Sequence, residues 1–179
     1  MACTPKVVFD ILNNCVRPVK GLKPKTWIFN NGYWTLTITN NVLSAIVRIG
    51  SEVAYTAEGF KDFQNAGSDA VVAENLPTAY AHKYSINANA ATAAEKANID
   101  KADNIFVVVQ TNSGQFLAYG ITNGLWKASQ AKMANDNNAQ TIIEFASREW
   151  MEEEYSEYVF ETGSGAAADL AYLVALETV

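Results

Sequence analysis

The residues that could do chemistry in this chain are few and scattered. One histidine, His82, two cysteines, Cys3 and Cys15, and a run of carboxylates are the groups able to move protons, attack carbonyls or hold a metal. The carboxylates are Glu149, Glu152, Glu153, Glu154 and Glu157, with Glu161 further on. A nucleophilic triad needs its histidine beside a nucleophile and an orienting acid. His82 instead alternates with Tyr80, Tyr84 and Ile86, as on one face of a strand among aromatic neighbours. Cysteine–histidine catalysis would need Cys3 or Cys15 folded onto His82, and no spacing in the chain points there. Neither cysteine has the partner spacing of a zinc site. The two could pair, but two cysteines do not make a disulfide scaffold in a chain of 179 residues.

Paired carboxylates serve glycoside hydrolysis, which requires one acid desolvated and raised in pKa. A consecutive glutamate run predicts a solvated strip instead, where such shifts are small. Its expected use is a negative surface that repels polyanions and meets a basic partner. Asn135 to Asn138 supply oxygen ligands, but without the alternation, glycine and terminal glutamate of a calcium loop. Gly114, Gly120 and Gly124 fit neither a dinucleotide fingerprint nor a P-loop, since no Lys-Ser or Lys-Thr follows. Two of them read as strand turns, and Gly120 reads as a bulge inside a strand. No catalytic residue, cofactor or metal is expected. Trp27, Trp34, Trp126 and Trp150 would suit a carbohydrate-binding module if half-exposed, although burial is the default for Trp27 and Trp34.

The elements that must position these groups follow from bulk properties and periodicity. The chain is 49% hydrophobic, enough for one cored domain, and only 18% charged, against roughly 25% for an average soluble domain. Small neutral residues fill the difference, and such a surface is easily desolvated against further copies. With a net charge of -6 the chain lacks the basic footprint of a nucleic-acid binder. Arg17, Lys20, Lys23 and Lys25 make one local basic stretch, expected to be solvated. The apolar run from Val7 to Leu12 is too short for a signal peptide, and nothing approaches the roughly 20 apolar residues of a membrane span. Synthesis in the cytoplasm and no membrane partner are the expectations.

Residues 1–25 read as an irregular arm broken by Pro5, Pro18 and Pro24, followed by one β-rich domain over 26–179. Trp27 to Phe29 and Tyr33 to Thr39 flank Asn30-Asn31-Gly32, which predicts a hairpin, and Asn40-Asn41 predicts a second one into Val42 to Ile49. Gly59 and Gly67 mark a loop, and Ala79 to Ala88 a strand. Residues 89–103 predict a short alanine-rich helix lying against a sheet. Asn104 to Thr111 is apolar throughout, as in a strand buried on both faces. Strands follow around Phe116, Trp126, Ile143 and Val159, and the tail reads either as a short helix through Leu170, Leu173 and Val174 or as a further strand. The fold class is therefore mainly β (α+β): an antiparallel β-sandwich or small barrel with one flanking α-helix and an extended N-terminal arm.

The order of these features resembles structural proteins of tailed phages infecting Bacteroidetes, within the tail tube class. The residues that carry the resemblance are Asn13-Asn14-Cys15 and Gly21-Leu22-Lys23 in the arm, the helix before the central strand, Gly114 to Gly120, Asn123-Gly124-Leu125, and Ser147-Arg148-Glu149 followed by Glu152-Glu153. The resemblance implies a noncatalytic virion subunit, made in the host bacterial cytoplasm. Such subunits form homo-oligomeric rings, usually hexamers, stacked around a channel that DNA traverses without specific binding, and they meet other tail or neck proteins. It further implies that Glu149, Glu152, Glu153, Glu154 and Glu157 line a lumen or an inter-ring contact. Lys6, Cys15, Arg17, Lys20, Gly21 and Lys23 would belong to an assembly arm. Residues 52–77 would supply the stacking loop. A neck, connector or capsid-decorating protein shares much of the same pattern.

Overall fold

The computed structural model describes residues 21–58, 64–72, 74, 76–88, 93–133 and 140–178. Of the expected arm, Lys6, Cys15, Arg17 and Lys20 lie outside the described residues, as does the question of Cys3 pairing with Cys15. Gly21 and Lys23 lie inside. The protein is mainly β, with two sheets and a packed C-terminal helix, a sandwich-like arrangement. The strands are β1 (Leu22–Asn30), β2 (Trp34–Thr39), β3 (Val42–Arg48), β4 (Tyr55–Glu58), β5 (Gln64–Val71), β6 (Ala79–Ala88), β7 (Ile105–Thr111), β8 (Phe116–Tyr119), β9 (Trp126–Met133), β10 (Gln140–Ala146) and β11 (Tyr158–Phe160). Helices α1 (Ala93–Lys101) and α2 (Ala166–Ala175) complete it. Because β1 begins at Leu22, Lys23 to Lys25 belong to the sheet rather than to an arm.

One sheet has the order β2-β3-β11-β8-β7-β1-β4, and the other β5-β6-β10-β9. The hairpin expected at Asn30-Asn31-Gly32 does not form, because β1 pairs with β7 and β4, and β2 pairs with β3. The Asn31 N–H donates to the Asn104 carbonyl instead, at 3.0 Å, and its side-chain amide to Asn104 Oδ1 at 3.3 Å. That corner shapes the larger sheet. β2 and β1 are the first and sixth strands, so in a flat sheet they would stand about 24 Å apart. The chain from Asn30 to Trp34 spans at most about 15 Å. The sheet must curl, and Phe29 of β1 meets Trp34 of β2 edge-to-face, ring centroids 5.1 Å apart. The second hairpin does form, with Thr39 opposite Val42 and Asn40 at a φ of 55°.

β7 is buried on both faces, as its composition predicts. Phe106 and Val108 join Trp27, Phe29, Leu43, Phe116 and Phe160 in a core beneath α2. Ile105, Val107 and Val109 join Tyr84, Ile86, Ile143 and Phe145 between the sheets. Helix α2 buries Leu173 and packs Tyr172 and Leu176 there, while Leu170 and Val174 are exposed. Of the three residues expected on its apolar face, Leu173 alone is buried. The reason is Asp169, whose Oδ1 accepts from the Thr162 N–H at 2.8 Å and the Thr162 hydroxyl at 2.6 Å, turning that side inward. Helix α1 has too few large apolar residues to take the packing role, and Asp100 holds it to β9 by accepting from Lys127 and Gln130.

Residues 52–77 do not form one loop. β4 joins β1 in the first sheet, and β5 forms a hairpin with β6 in the second, from Gln64 opposite Ile86 to Val71 opposite Ala79. Gly67 sits inside β5 rather than in a loop. The tip of that hairpin exposes Val72 and Leu76.

Candidate functional site

The acidic segment leaves β10 at Ser147 and crosses the end of the second sheet. Its first contact extends the β6 pairing. The Ser147 N–H donates to the His82 carbonyl at 2.8 Å, and the His82 N–H donates to Ser147 Oγ at 3.0 Å. Farther on, Glu153 exchanges two backbone hydrogen bonds with Tyr80, at 2.8 and 2.9 Å. These two contacts pin both ends of a loop from Arg148 to Glu152.

Glu153 is the centre of the site. Its side chain is 1% exposed, against the expectation of a wholly solvated strip. The Oε1 atom accepts from the N–H groups of Thr122 and Asn123 at 2.9 and 3.0 Å, and Oε2 accepts from the Tyr158 hydroxyl at 3.2 Å. Two successive backbone donors aimed at one carboxylate form a small anion nest, which offsets desolvation of the charge. The turn after β8 makes the nest possible. Gly120 stands at φ 73° and Gly124 at φ 77°, and the Gly124 N–H closes the turn on the Gly120 carbonyl at 3.2 Å. Gly120 is thus a strand terminator rather than a bulge. A Cβ there would lie 2.5 Å from Leu125 Cγ.

His82 is the second anchor, with no exposed surface. Its Nδ1 accepts from the Gly120 N–H at 3.0 Å, and its Nε2 lies 2.8 Å from the Tyr155 carbonyl. That pairing assigns the neutral tautomer with the proton on Nε2, because Nδ1 must keep its lone pair. Burial pulls the His82 pKa below its usual value, although the Tyr155 carbonyl and Glu153 act in the opposite sense. The rings of Tyr119 and Tyr158 pack edge-on against the imidazole. Burial pushes the Tyr158 phenol up to about 12, with Glu153 adding to the effect. The Tyr119 phenol is also raised by burial, and secondarily by Glu157. At neutral pH the three rings of the cluster are therefore uncharged.

The expected strip is split by these contacts. Glu149 and Glu154 are exposed, Glu152 and Glu157 are half-buried, and Glu153 is inside. Glu152 accepts the Trp150 N–H at 3.2 Å, and its carbonyl accepts the Asn123 amide at 2.9 Å. Thr122, Asn123 and Tyr158 were not legible as parts of this site. Only the two glycines flanking Ile121 to Asn123 hinted at converging N–H groups. Both ring nitrogens of His82 are occupied in the interior, so the imidazole ties the Gly120 N–H to the Tyr155 carbonyl. Among the described residues, no group of three histidine, cysteine, aspartate or glutamate side chains is placed to hold a metal.

The tryptophans divide in the same way. Trp27 and Trp34 are buried, and the Trp27 Nε1–H donates to Glu177 at 2.8 Å. Trp126 is half-covered by the Arg148 guanidinium, 3.6 Å from its ring centroid. Trp150 alone is open to solvent. Of the basic stretch, Lys23 is exposed, whereas Lys25 pairs with Glu177 at 2.7 Å. No helix among the described residues is long and apolar enough to cross a membrane. No family model, curated protein or solved structure matches the chain.

Proposed function

We propose that this chain is a noncatalytic structural subunit of a tailed-phage virion, placed in the tail tube. Copies join into rings, and stacked rings enclose a channel that DNA crosses without specific binding. The observation that carries this reading is the β2 edge of the larger sheet. Natural sheets guard their edges with lysine, proline, bulges or covering segments. β2 reads WTLTIT, with no charge and no proline; Ile38 is exposed on it, and Val47 of β3, opposite Thr35, is exposed nearer its other end. It has one bulge, between Thr37 and Ile38. An edge so weakly guarded suits a protein whose neighbours complete the sheet. The low charge content and the net charge of -6 suit a wall that DNA slides past.

Light scattering across concentration, with negative-stain images of the same sample, tests the reading. Rings or tubes are expected, and the paired changes Thr37→Lys and Ile38→Lys should break them into smaller species that keep a cooperative melting transition. Wild-type protein that stays monomeric at every concentration sinks the proposal. So do rings that persist in the lysine variant, because the β2 edge would then carry nothing.

A further inference from the structure

Trp150 is presented rather than left over. It is 80% exposed, and its φ of 66° is a left-handed conformation that bulky side chains rarely adopt. The loop that carries it is held by the Met151 N–H to the Arg148 carbonyl at 3.0 Å, and by the anchors at His82 and Tyr80. Exposed Glu149 and Glu154 stand on either side of it in the chain.

A complementary feature lies elsewhere. Val47 and Arg48 of β3, with Tyr172, Ala175 and Leu176, line an open depression of about 500 Å³. Val47 and Ala175 are exposed there. Arg48 donates through Nη2 to the Leu176 and Thr178 carbonyls, at 3.2 and 2.6 Å. Its Nε is buried without a hydrogen-bond partner, and no carboxylate among the described residues is within ion-pair distance of it. An apolar depression with a guanidinium at its rim matches an indole flanked by carboxylates. One chain cannot fill its own depression. β11 runs parallel to β3 with Phe160 beside Leu43, so the acidic segment enters the sheet at the Val42 end. Arg48 lies five residues beyond Leu43, about 17 Å farther along the strand.

We infer that Trp150 of one copy docks in the depression between β3 and α2 of the next, with Glu149 and Glu154 facing Arg48. This rests on the self-assembly reading and adds a second contact to the β2 edge. The two surfaces differ, so the contact is head-to-tail and generates a ring when the rotation closes. Aromatic and arginine anchors in such a pocket carry most of an interface, and a pre-fixed loop loses little entropy on docking.

The test uses the full chain with Trp150→Ala and, separately, Ala175→Glu, both at exposed positions where folding should be unaffected. Each variant should raise the dissociation constant of the assembly about 30-fold, with an unchanged melting temperature at concentrations where the protein is monomeric. A labelled mixture of the two keeps one intact pair, the tryptophan of one variant and the depression of the other. It should show heterotypic association tighter than either variant alone. Wild-type rings that are unmoved by Trp150→Ala overturn this contact and leave the self-assembly reading standing, as does a mixture that gains nothing. A wild-type monomer at all concentrations overturns both.

Discussion

Glu153 and Trp150 are three residues apart in one acidic run, and they meet opposite surroundings. Glu153 is inside, with a donor for each carboxylate oxygen. Trp150 is outside, on a strained backbone, with its ring in water. Side-chain chemistry alone would place them the other way round. What reverses them is the turn after β8, which supplies two unpaired N–H groups that only an anion satisfies well. Once the carboxylate is captured there, its backbone is fixed against Tyr80, and the residues before it must bulge outward. The buried charge and the exposed indole are thus two results of one anchoring event. The comparison can be broken from either side.

The largest effect is expected from the inside. Glu153→Ala would strand the Thr122 and Asn123 N–H groups and the Tyr158 hydroxyl, and should cost about 3 kcal/mol, read as a lower urea midpoint. Glu153→Gln keeps an acceptor and should cost less. A loss under about 0.5 kcal/mol for the alanine variant would mean that the nest is met by water and that the segment is held by its backbone alone.

His82 gives a smaller, pH-dependent effect. Its folded pKa lies below the unfolded value, so between the two the unfolded chain binds more protons. Stability is then complete above about pH 6.5 and falls as pH drops below it, by at most about 1.4 kcal/mol per pH unit. His82→Phe should remove that slope, whatever it does to absolute stability. Urea melts at several pH values below 6.5 compare the two proteins. Parallel curves would show that Gly120 and Tyr155 do not require the neutral imidazole.

The same contrast explains what could be read from the sequence. Local periodicity was sufficient for most strands, for the β2–β3 hairpin at Asn40-Asn41, and for β7, whose unbroken apolar run has one physical meaning. The burial of His82 on a strand face was legible for the same reason, although the rings it meets are Tyr119 and Tyr158 rather than its strand neighbours. Partner choice was not. Asn30-Asn31-Gly32 has the chemistry of a hairpin, but Asn104, far along the chain, takes the Asn31 donors. The burial of Glu153 depends on Thr122 and Asn123, about thirty residues upstream, whose N–H groups carry no side-chain signature. Asp169 turned α2 through a bond to Thr162 that apolar periodicity ignores. In each case a polar group found a nonlocal backbone partner, and hydrophobic pattern contains no term for that.

The smallest expected effect comes from the outside, and its sign is the informative part. Trp150 holds a left-handed backbone, which costs an L residue with a Cβ roughly 1 kcal/mol. Its ring is too exposed to recover that by burial in its own chain. Trp150→Gly should therefore stabilise dilute, unassembled protein by about 0.5 kcal/mol, after the extra entropy of glycine in the unfolded chain is subtracted. The measurement is a urea melt at a concentration where scattering shows monomer. A stabilised monomer that assembles poorly would mark the tryptophan as kept against the stability of its own fold, as a contact made in another copy requires. A destabilised monomer would mean that the indole packs on its own chain, and the contrast with Glu153 would collapse into two anchors of one segment.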